Sequence, residues 1–180
     1  MASFTERMIG AAKLEAKTYE EVERDESAMG QAMAVVAISV VASGIGSAGM
    51  GGIRGLVGGV VAALIGWFVW AAIIYVVGTQ AMPEPQTKAN LGQVLRTIGF
   101  AASPGALNVL GIVPIFGGLI RLAVALWQLA ATVVAVRQAL DYKTTGKAVV
   151  VCLLGFIAYM AVGVFLGALG LAGMGMGSLL

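Results

Sequence analysis

The sequence has no histidine and one cysteine, Cys152, among its 180 residues. A lone cysteine cannot form an intramolecular disulfide. Zinc and haem sites are built largely on cysteine and histidine side chains, so this composition indicates neither. We therefore expect no metal and no cofactor.

Charged residues are also scarce, at 11% against about 25% in ordinary soluble domains. Hydrophobic residues make up 59% of the chain, and glycine alone contributes 26 residues. A water-soluble fold of this length could not hide so much apolar surface, whereas membrane helices use small residues to pack closely. The composition predicts an all-α, polytopic membrane protein whose surroundings are the lipid bilayer. The net charge of +2 points to no class of partner, and we expect no nucleic acid.

Between Met29 and Leu180 the only acids are Glu84 and Asp141, both in predicted loops. Proton-coupled transporters generally need intramembrane acids or histidine as relays. A serine nucleophile needs a nearby base, and no phosphate-loop or dinucleotide motif stands in the required context. We predict that the protein is not an enzyme and has no catalytic residues.

Long apolar runs predict five transmembrane helices of about 20 residues each. The predicted spans are 29–50, 56–78, 94–116, 119–139 and 148–169. They divide the chain into a cytosolic N-terminal segment, 1–28, and a five-span domain, 29–180. Lysine and arginine are concentrated in the segments that would lie on the same side of the membrane as the N-terminus. We therefore predict a multi-pass protein of the cell (inner or plasma) membrane, with the N-terminus cytosolic and the C-terminus outside.

The predicted third span contains Pro104, Gly105 and Pro114 within an apolar stretch. Proline removes one backbone hydrogen bond from a helix, and at membrane depth neighbouring groups must satisfy what it frees. We predict a helix broken at Pro104 and Pro114 and surrounded by the other spans. The structural or conduit candidates are Gly99, Phe100, Ser103, Pro104, Asn108, Pro114 and Gln128.

Residues 1–27 are polar and predicted to be helical, with capping-box spacing at Ser3–Glu6 and at Thr18–Glu21. This segment fits either an amphipathic helix in the headgroup region or a short solvated helix. It ends in a dense charged run, which is either a solvated face or an interaction surface. The acids that we single out as partner-binding candidates are Glu20, Glu21, Glu23, Asp25 and Glu26.

A Gly-Phe-Ala-Ala-Ser-Pro-Gly break at 99–105 follows the acidic segment. A Trp-Gln-Leu motif then lies in the fourth span, Ala-Val-Arg-Gln-Ala-Leu-Asp-Tyr occupies 135–142, and Lys-Ala opens the fifth span. From about residue 19 to 170 this order resembles the bacterial branch of the Yip-domain family. The eukaryotic members of that family are Golgi and endoplasmic-reticulum proteins named for interacting with Ypt/Rab GTPases. Their cytosolic Asp-Leu-x-Gly-Pro motif is absent here, so the resemblance implies fold and topology more than a Rab-type partner.

Two functions remain open. The first is a membrane scaffold or adaptor that recruits partners, as a homo- or hetero-oligomer, through cytosolic elements 1–28, 79–97 and 138–147. The second is a small permease, channel or lipid-scrambling protein with a conduit along the broken third span. Ser103, Asn108, Gln128 and Thr132 around a water-filled cavity would favour transport, whereas a dry interior would favour the scaffold.

Overall fold

The computed structural model describes residues 2–47, 52–113 and 115–177, which contain helices and no β-strand. The seven α-helices are α1 (Phe4–Ala12), α2 (Ala16–Arg24), α3 (Met29–Gly46), α4 (Gly52–Val76), α5 (Leu91–Ala101), α6 (Gly117–Ala139) and α7 (Thr145–Gly177). A short 3-10 turn, Glu26–Ala28, precedes α3, and a π-helical turn, Val77–Ala81, extends α4. A longer 3-10 helix, Ser103–Ile112, follows α5. The all-α prediction is confirmed.

Among the residues that the structure describes, four segments are long and apolar enough to cross a membrane: Glu26–Gly46, Arg54–Ala81, Gly117–Ala139 and Thr145–Phe165. They correspond to the first, second, fourth and fifth predicted spans. The predicted third span is divided between α5 and the 3-10 helix, so neither part alone has the length of a span. Pro104 lies in the first turn of that 3-10 helix, where its missing N–H is tolerated. Pro114 lies outside the described residues.

Helix α5 is the central element of the bundle. Its residues from Val94 to Ala101 are all buried, and α2, α3, α4 and α6 pack around it. One apolar cluster joins Val94, Leu95 and Ile98 to α4, α6 and α7. A second cluster joins Phe100 and Ala101 to α1, α2, α3 and α6. A single short helix therefore ties the N-terminal helices to the long ones.

A capping box starts α5 at a defined residue. The Gln93 backbone N–H donates to Asn90 Oδ1 at 2.9 Å, and the Asn90 N–H donates to Gln93 Oε1 at 2.7 Å. This reciprocal pair satisfies two amides that the first helical turn cannot bond internally. At the other end, the Ala102 carbonyl accepts from the Gly105 N–H at 2.8 Å, as the chain tightens into the 3-10 helix.

The N-terminal segment forms a helical hairpin packed along the bundle. The predicted capping box at Ser3 and Glu6 is confirmed and begins α1. The one predicted at Thr18 is wrong as a helix start, because the N-cap of α2 is Glu15, three residues earlier, and the helix begins at Ala16. The Trp127 indole N–H on α6 donates to the Ala12 carbonyl at 2.7 Å. The hairpin thus lies beside α6 and does not project as a separate helix.

Candidate functional site

Arg7 is the charged centre of the hairpin. Its side chain is 2% exposed, yet it lies on a nine-residue helix at the edge of the molecule. The guanidinium donates to Glu21 Oε1 from Nε at 3.1 Å and from Nη2 at 2.9 Å, and Nη2 donates to Asp25 Oδ2 at 2.7 Å. Nη1 donates to Gln31 Oε1 on α3 at 3.0 Å. One arginine therefore links α1 and α2 to the start of the first long helix.

Arg96 on α5 donates hydrogen bonds to the backbone of α2. It is 5% exposed, and its Nε donates to the Val22 carbonyl at 2.9 Å while Nη2 donates to the Glu23 carbonyl. Those carbonyls lie in the last turn of α2, where the helix dipole carries negative partial charge. The arginine thus satisfies backbone acceptors that the helix leaves free. Arg96 bonds directly to α2, and Arg7 links α2 to Gln31 on α3. Helix α2 is therefore bound to the bundle by charged side chains as well as by apolar contact.

The five predicted partner-binding acids differ in their surroundings. Glu21 and Asp25 face Arg7, and Glu23 accepts from Gln93 Nε2 at 3.0 Å. Glu20 forms an exposed i,i+4 pair with Arg24, with Oε2 and Nη2 3.4 Å apart. Glu26 is exposed. Three of the acids are therefore engaged within the protein, and two lie on its surface.

The inward-facing acids have displaced pKa values. The hydrogen bond from Arg7 holds the pKa of Glu21 below its ordinary value. Hydrogen bonds from the Ser27 hydroxyl and from Arg7 do the same for the pKa of Asp25. Burial raises the pKa of Glu23 to about 7, and the negative charge of Asp141 adds to this. The charge of Glu23, next to α5, therefore changes near neutral pH.

The break after α5 is surrounded by polar side chains from α3 and α6. Asn108 Nδ2 donates to Ser43 Oγ at 3.0 Å, and Ser43 Oγ donates to the Ser39 carbonyl at 2.8 Å. Gln128 Nε2 lies 3.3 Å from both Ser39 Oγ and the Ala102 carbonyl, and it donates to them. The Ala102 carbonyl at the break thus accepts a hydrogen bond from a glutamine of a neighbouring helix.

The remaining break residues serve close packing. Ser103 Oγ donates back to the Phe100 carbonyl at 2.7 Å, and the Phe100 ring is fully buried. Gly99 lies against α3, where an added Cβ would come 2.7 Å from the Ala32 side chain. At Gly105 an added Cβ would come 1.8 Å from Ser39 Oγ. The helices at the break approach too closely for any side chain at these two glycines.

The sequence model of the Yip1 domain matches residues 15–166. The chain belongs to the Yip1 domain family. The match begins at the N-cap of α2 and ends within α7. The acidic run, Arg96 and the break therefore all lie inside the Yip1 domain, whereas Arg7 precedes the matched region. No curated protein and no solved structure shows a significant match to the chain.

The sequence pattern predicts the break residues better than the two arginines that hold α2. Asn108 and Gln128 are polar residues in apolar runs, and such residues mark interior contacts. Ser39 and Ser43 show the same pattern but are not among the predicted candidates. The sequence does not distinguish Arg7 and Arg96 from solvated residues, because each stands near a polar boundary where a solvated role is common. Arg96 did carry a signal, since it is the one charge inside the otherwise uncharged stretch of α5.

Two polar segments at the end of the Yip1 domain where Arg96 lies are bonded to each other. Thr87 Oγ1 donates to the Leu140 carbonyl at 2.8 Å, and the Tyr142 hydroxyl lies 2.9 Å from the Met82 carbonyl, to which it donates. Lys147 Nζ pairs with Glu84 Oε1 at 3.5 Å. The segments 82–90 and 140–147 therefore form one surface, next to the last turn of α2. We call this surface, with residues 20–26, the polar end.

Proposed function

We propose that this chain is an integral membrane scaffold whose polar end recruits a protein partner. The observation that carries the proposal is the joining of three segments, distant in sequence, into one surface. Hydrogen bonds and ion pairs fix residues 82–90 to 140–147, and Gln93 and Arg96 fix α2 beside them. A surface held in one shape by so many contacts is suited to recognition, since little ordering remains to be done on binding.

We further propose that all five predicted spans cross the bilayer. The segment 82–90 lies against 140–147, whereas Asn108 bonds to Ser43 near the other end of α3. Arg121, near the start of α6, donates to the Gly46 carbonyl at the end of α3, at 3.2 Å. The divided third segment thus connects opposite ends of the bundle. In line, its 11 α-helical and 10 3-10 residues would extend roughly 35 Å, enough for the hydrocarbon core.

Orientation belongs to the same proposal. The polar end and the hairpin carry most of the lysine and arginine, with Lys88 and Lys143 in the short loops and Lys147 in the first turn of α7, while the opposite end carries Arg54 and Arg121. This bias favours the polar end in the cytosol. We therefore propose a cell (inner or plasma) membrane location with the N-terminus inside and the C-terminus outside.

The interior at the break supports the scaffold over the permease or channel. The polar side chains there bond to one another and to backbone groups. Within the part of the chain that the structure describes, no buried side-chain nitrogen or oxygen lacks a partner. A water-filled conduit needs free polar groups along its wall. The close approach at Gly105 likewise supports a dry break.

Affinity purification from native membranes in mild detergent tests the proposal. The exposed acids Glu20 and Glu26 are proposed to contact the partner, and Glu21, Glu23 and Asp25 to hold α2 in place. Glu20→Gln with Glu26→Gln should lower partner recovery and leave thermal stability unchanged. Lys13→Gln with Glu15→Gln, exposed in the hairpin outside the polar end, is the matched control. Equal recovery of the partner with the unaltered chain and with both double variants, together with solute flux in vesicles that contain the purified chain alone, would contradict the scaffold function.

A further inference from the structure

A cavity of about 890 Å³ lies among the membrane-spanning helices. Its walls come from α4, α6 and α7, and its floor comes from α5 and α3. It includes Trp67 and Trp70 of α4, Leu129 of α6, and Leu153, Phe156 and Tyr159 of α7. This cavity is distinct from the polar cluster at the break, which it meets only at Ala102 and Gln128.

The lining of the cavity is apolar and uncharged. Its side-chain polar groups are the amide of Gln128, the hydroxyls of Thr132 and Tyr159, the thiol of Cys152 and the two indole nitrogens. Gln128 Nε2 is committed to Ser39 and Ala102, and Thr132 Oγ1 donates to the Gln128 carbonyl at 2.8 Å. The Trp67 indole N–H donates to the Leu95 carbonyl at 3.2 Å. A buried water needs two to four polar partners, so this lining favours an apolar occupant.

The cavity lies at the depth of the acyl chains of a bilayer. On α7 the lining runs from Val149 to Tyr159, which is about 15 Å along a helix. Half of a hydrocarbon core of roughly 30 Å has the same depth. On α4 the lining runs from Ala62 to Trp70, across the middle of the Arg54–Ala81 segment. The cavity therefore lies around the middle of the bundle and reaches toward the polar end at Val149.

The cavity is continuous with the lipid-facing surface. Leu129, Leu153 and Phe156 line it and are also exposed. Gly155 is the last buried residue among those whose burial the structure describes in α7; Phe156 and Ile157, next along the helix, are exposed. Trp70 and Tyr159 stack edge to face at 5.9 Å between ring centroids and hold α4 against α7 there. A lipid beside α6 and α7 therefore reaches the cavity without crossing a polar barrier.

We propose that this cavity binds one acyl chain of a bilayer phospholipid. Left empty, the lining would lose van der Waals contacts that protein interiors normally make. Acyl chains are the apolar groups present at this depth, and the open side of the cavity faces them. The protein would thereby hold a specific lipid alongside the helices that carry the proposed scaffold surface.

A photoreactive lipid tests this. The purified chain is placed in phosphatidylethanolamine–phosphatidylglycerol vesicles that contain a phospholipid with a diazirine on one acyl chain, and adducts are mapped by mass spectrometry. We expect adducts concentrated on 129–133 and 149–156. Ala63→Phe, which fills the cavity from α4, should reduce them to the level of the general lipid-facing surface. Val61→Phe, on an exposed position of the same helix that does not line the cavity, should leave them unchanged.

A second measurement on the unaltered cavity guards against misfolding of Ala63→Phe. In a Trp127→Phe background the remaining emission comes from Trp67 and Trp70, which are only partly exposed. Dibrominated acyl chains should quench that emission. Absent quenching, adducts spread evenly over all exposed helix faces, or an unchanged pattern in a folded Ala63→Phe would overturn the proposal. The proposal would also be overturned if Ala63→Phe dissociated a dimer and left the lipid adducts unchanged, because the occupant of the cavity would then be a second copy of the chain.

Discussion

Arg7 provides the sharpest test of how the hairpin is held. Replacing it with methionine leaves the carboxylates of Glu21 and Asp25 without their cation. Breaking a buried ion pair from one side costs about 3–5 kcal/mol. Glu21 is 32% and Asp25 15% exposed, so water relieves part of this charge, and we expect a cost of about 3 kcal/mol. Since 1.4 kcal/mol is a factor of ten, the undocked population should rise roughly 100-fold.

Thiol labelling reads out that population. Val22, fully buried on α2, is changed to cysteine in a Cys152→Ala background, and the rate of maleimide modification is measured in detergent. When reclosing is faster than labelling, this rate follows the undocking equilibrium. Arg7→Met should accelerate labelling by roughly 100-fold.

Arg24→Met is the matched control. Arg24 lies on α2 and pairs with Glu20, but these side chains are 76% and 46% exposed, and such surface pairs contribute at most about 1 kcal/mol. Adding Glu21→Gln and Asp25→Asn to Arg7→Met removes the unpaired charges and should restore slow labelling. If Arg7→Met labelled no faster than Arg24→Met, the ion cluster would not hold the hairpin.

Three further predictions follow from the same contacts. Because the pKa of Glu23 is raised to about 7, its protonated form favours the folded state, so stability should fall as the pH rises from 5 to 8; Glu23→Gln should flatten that slope in thermal melts, and an unchanged slope would refute the assignment. Gly105→Ala forces a Cβ onto Ser39 and should destabilise the bundle by about 2 kcal/mol, whereas Gly118→Ala, with open space around it, should not; equal melting temperatures would contradict the close packing at the break. For topology, an impermeant maleimide on intact cells should label Ser47→Cys and not Thr145→Cys in a Cys152→Ala background, and the reverse pattern would invert the orientation.

The sequence predicts the long helices because their signal is local. A run of about 20 apolar residues has few alternatives to a membrane helix, and four of the predicted spans correspond to single candidate segments. The third does not, because the chain changes from α to 3-10 geometry at Ala102. Pro104 and Gly105 indicate a change of helix geometry at this point, but the form it takes depends on Ser39 and Gln128 from two other helices.

The hairpin was harder to predict, for a physical reason. The apolar stripe of Phe4, Met8 and Ala11 suits a membrane surface, water-exposed helix or protein core equally well. The stripe packs against the core. Trp127 and Arg96, both distant in sequence, hold the hairpin there by hydrogen bonds to its backbone. The acidic run resembled a solvated or partner-binding surface because nothing local reveals that Arg7 pairs with Glu21 and Asp25. Its role in partner binding stays a prediction.

Site-specific photo-crosslinking in native cells tests the scaffold function most directly. A photoreactive residue is placed singly at Arg24, Lys88 or Lys143 of the polar end, and at Ser47 or Ile115 of the opposite end, all of which are exposed. The scaffold account predicts protein adducts of the same mass from the three polar-end positions and none from the other two. Adducts from neither end, or equally from both, would contradict a partner-binding polar end.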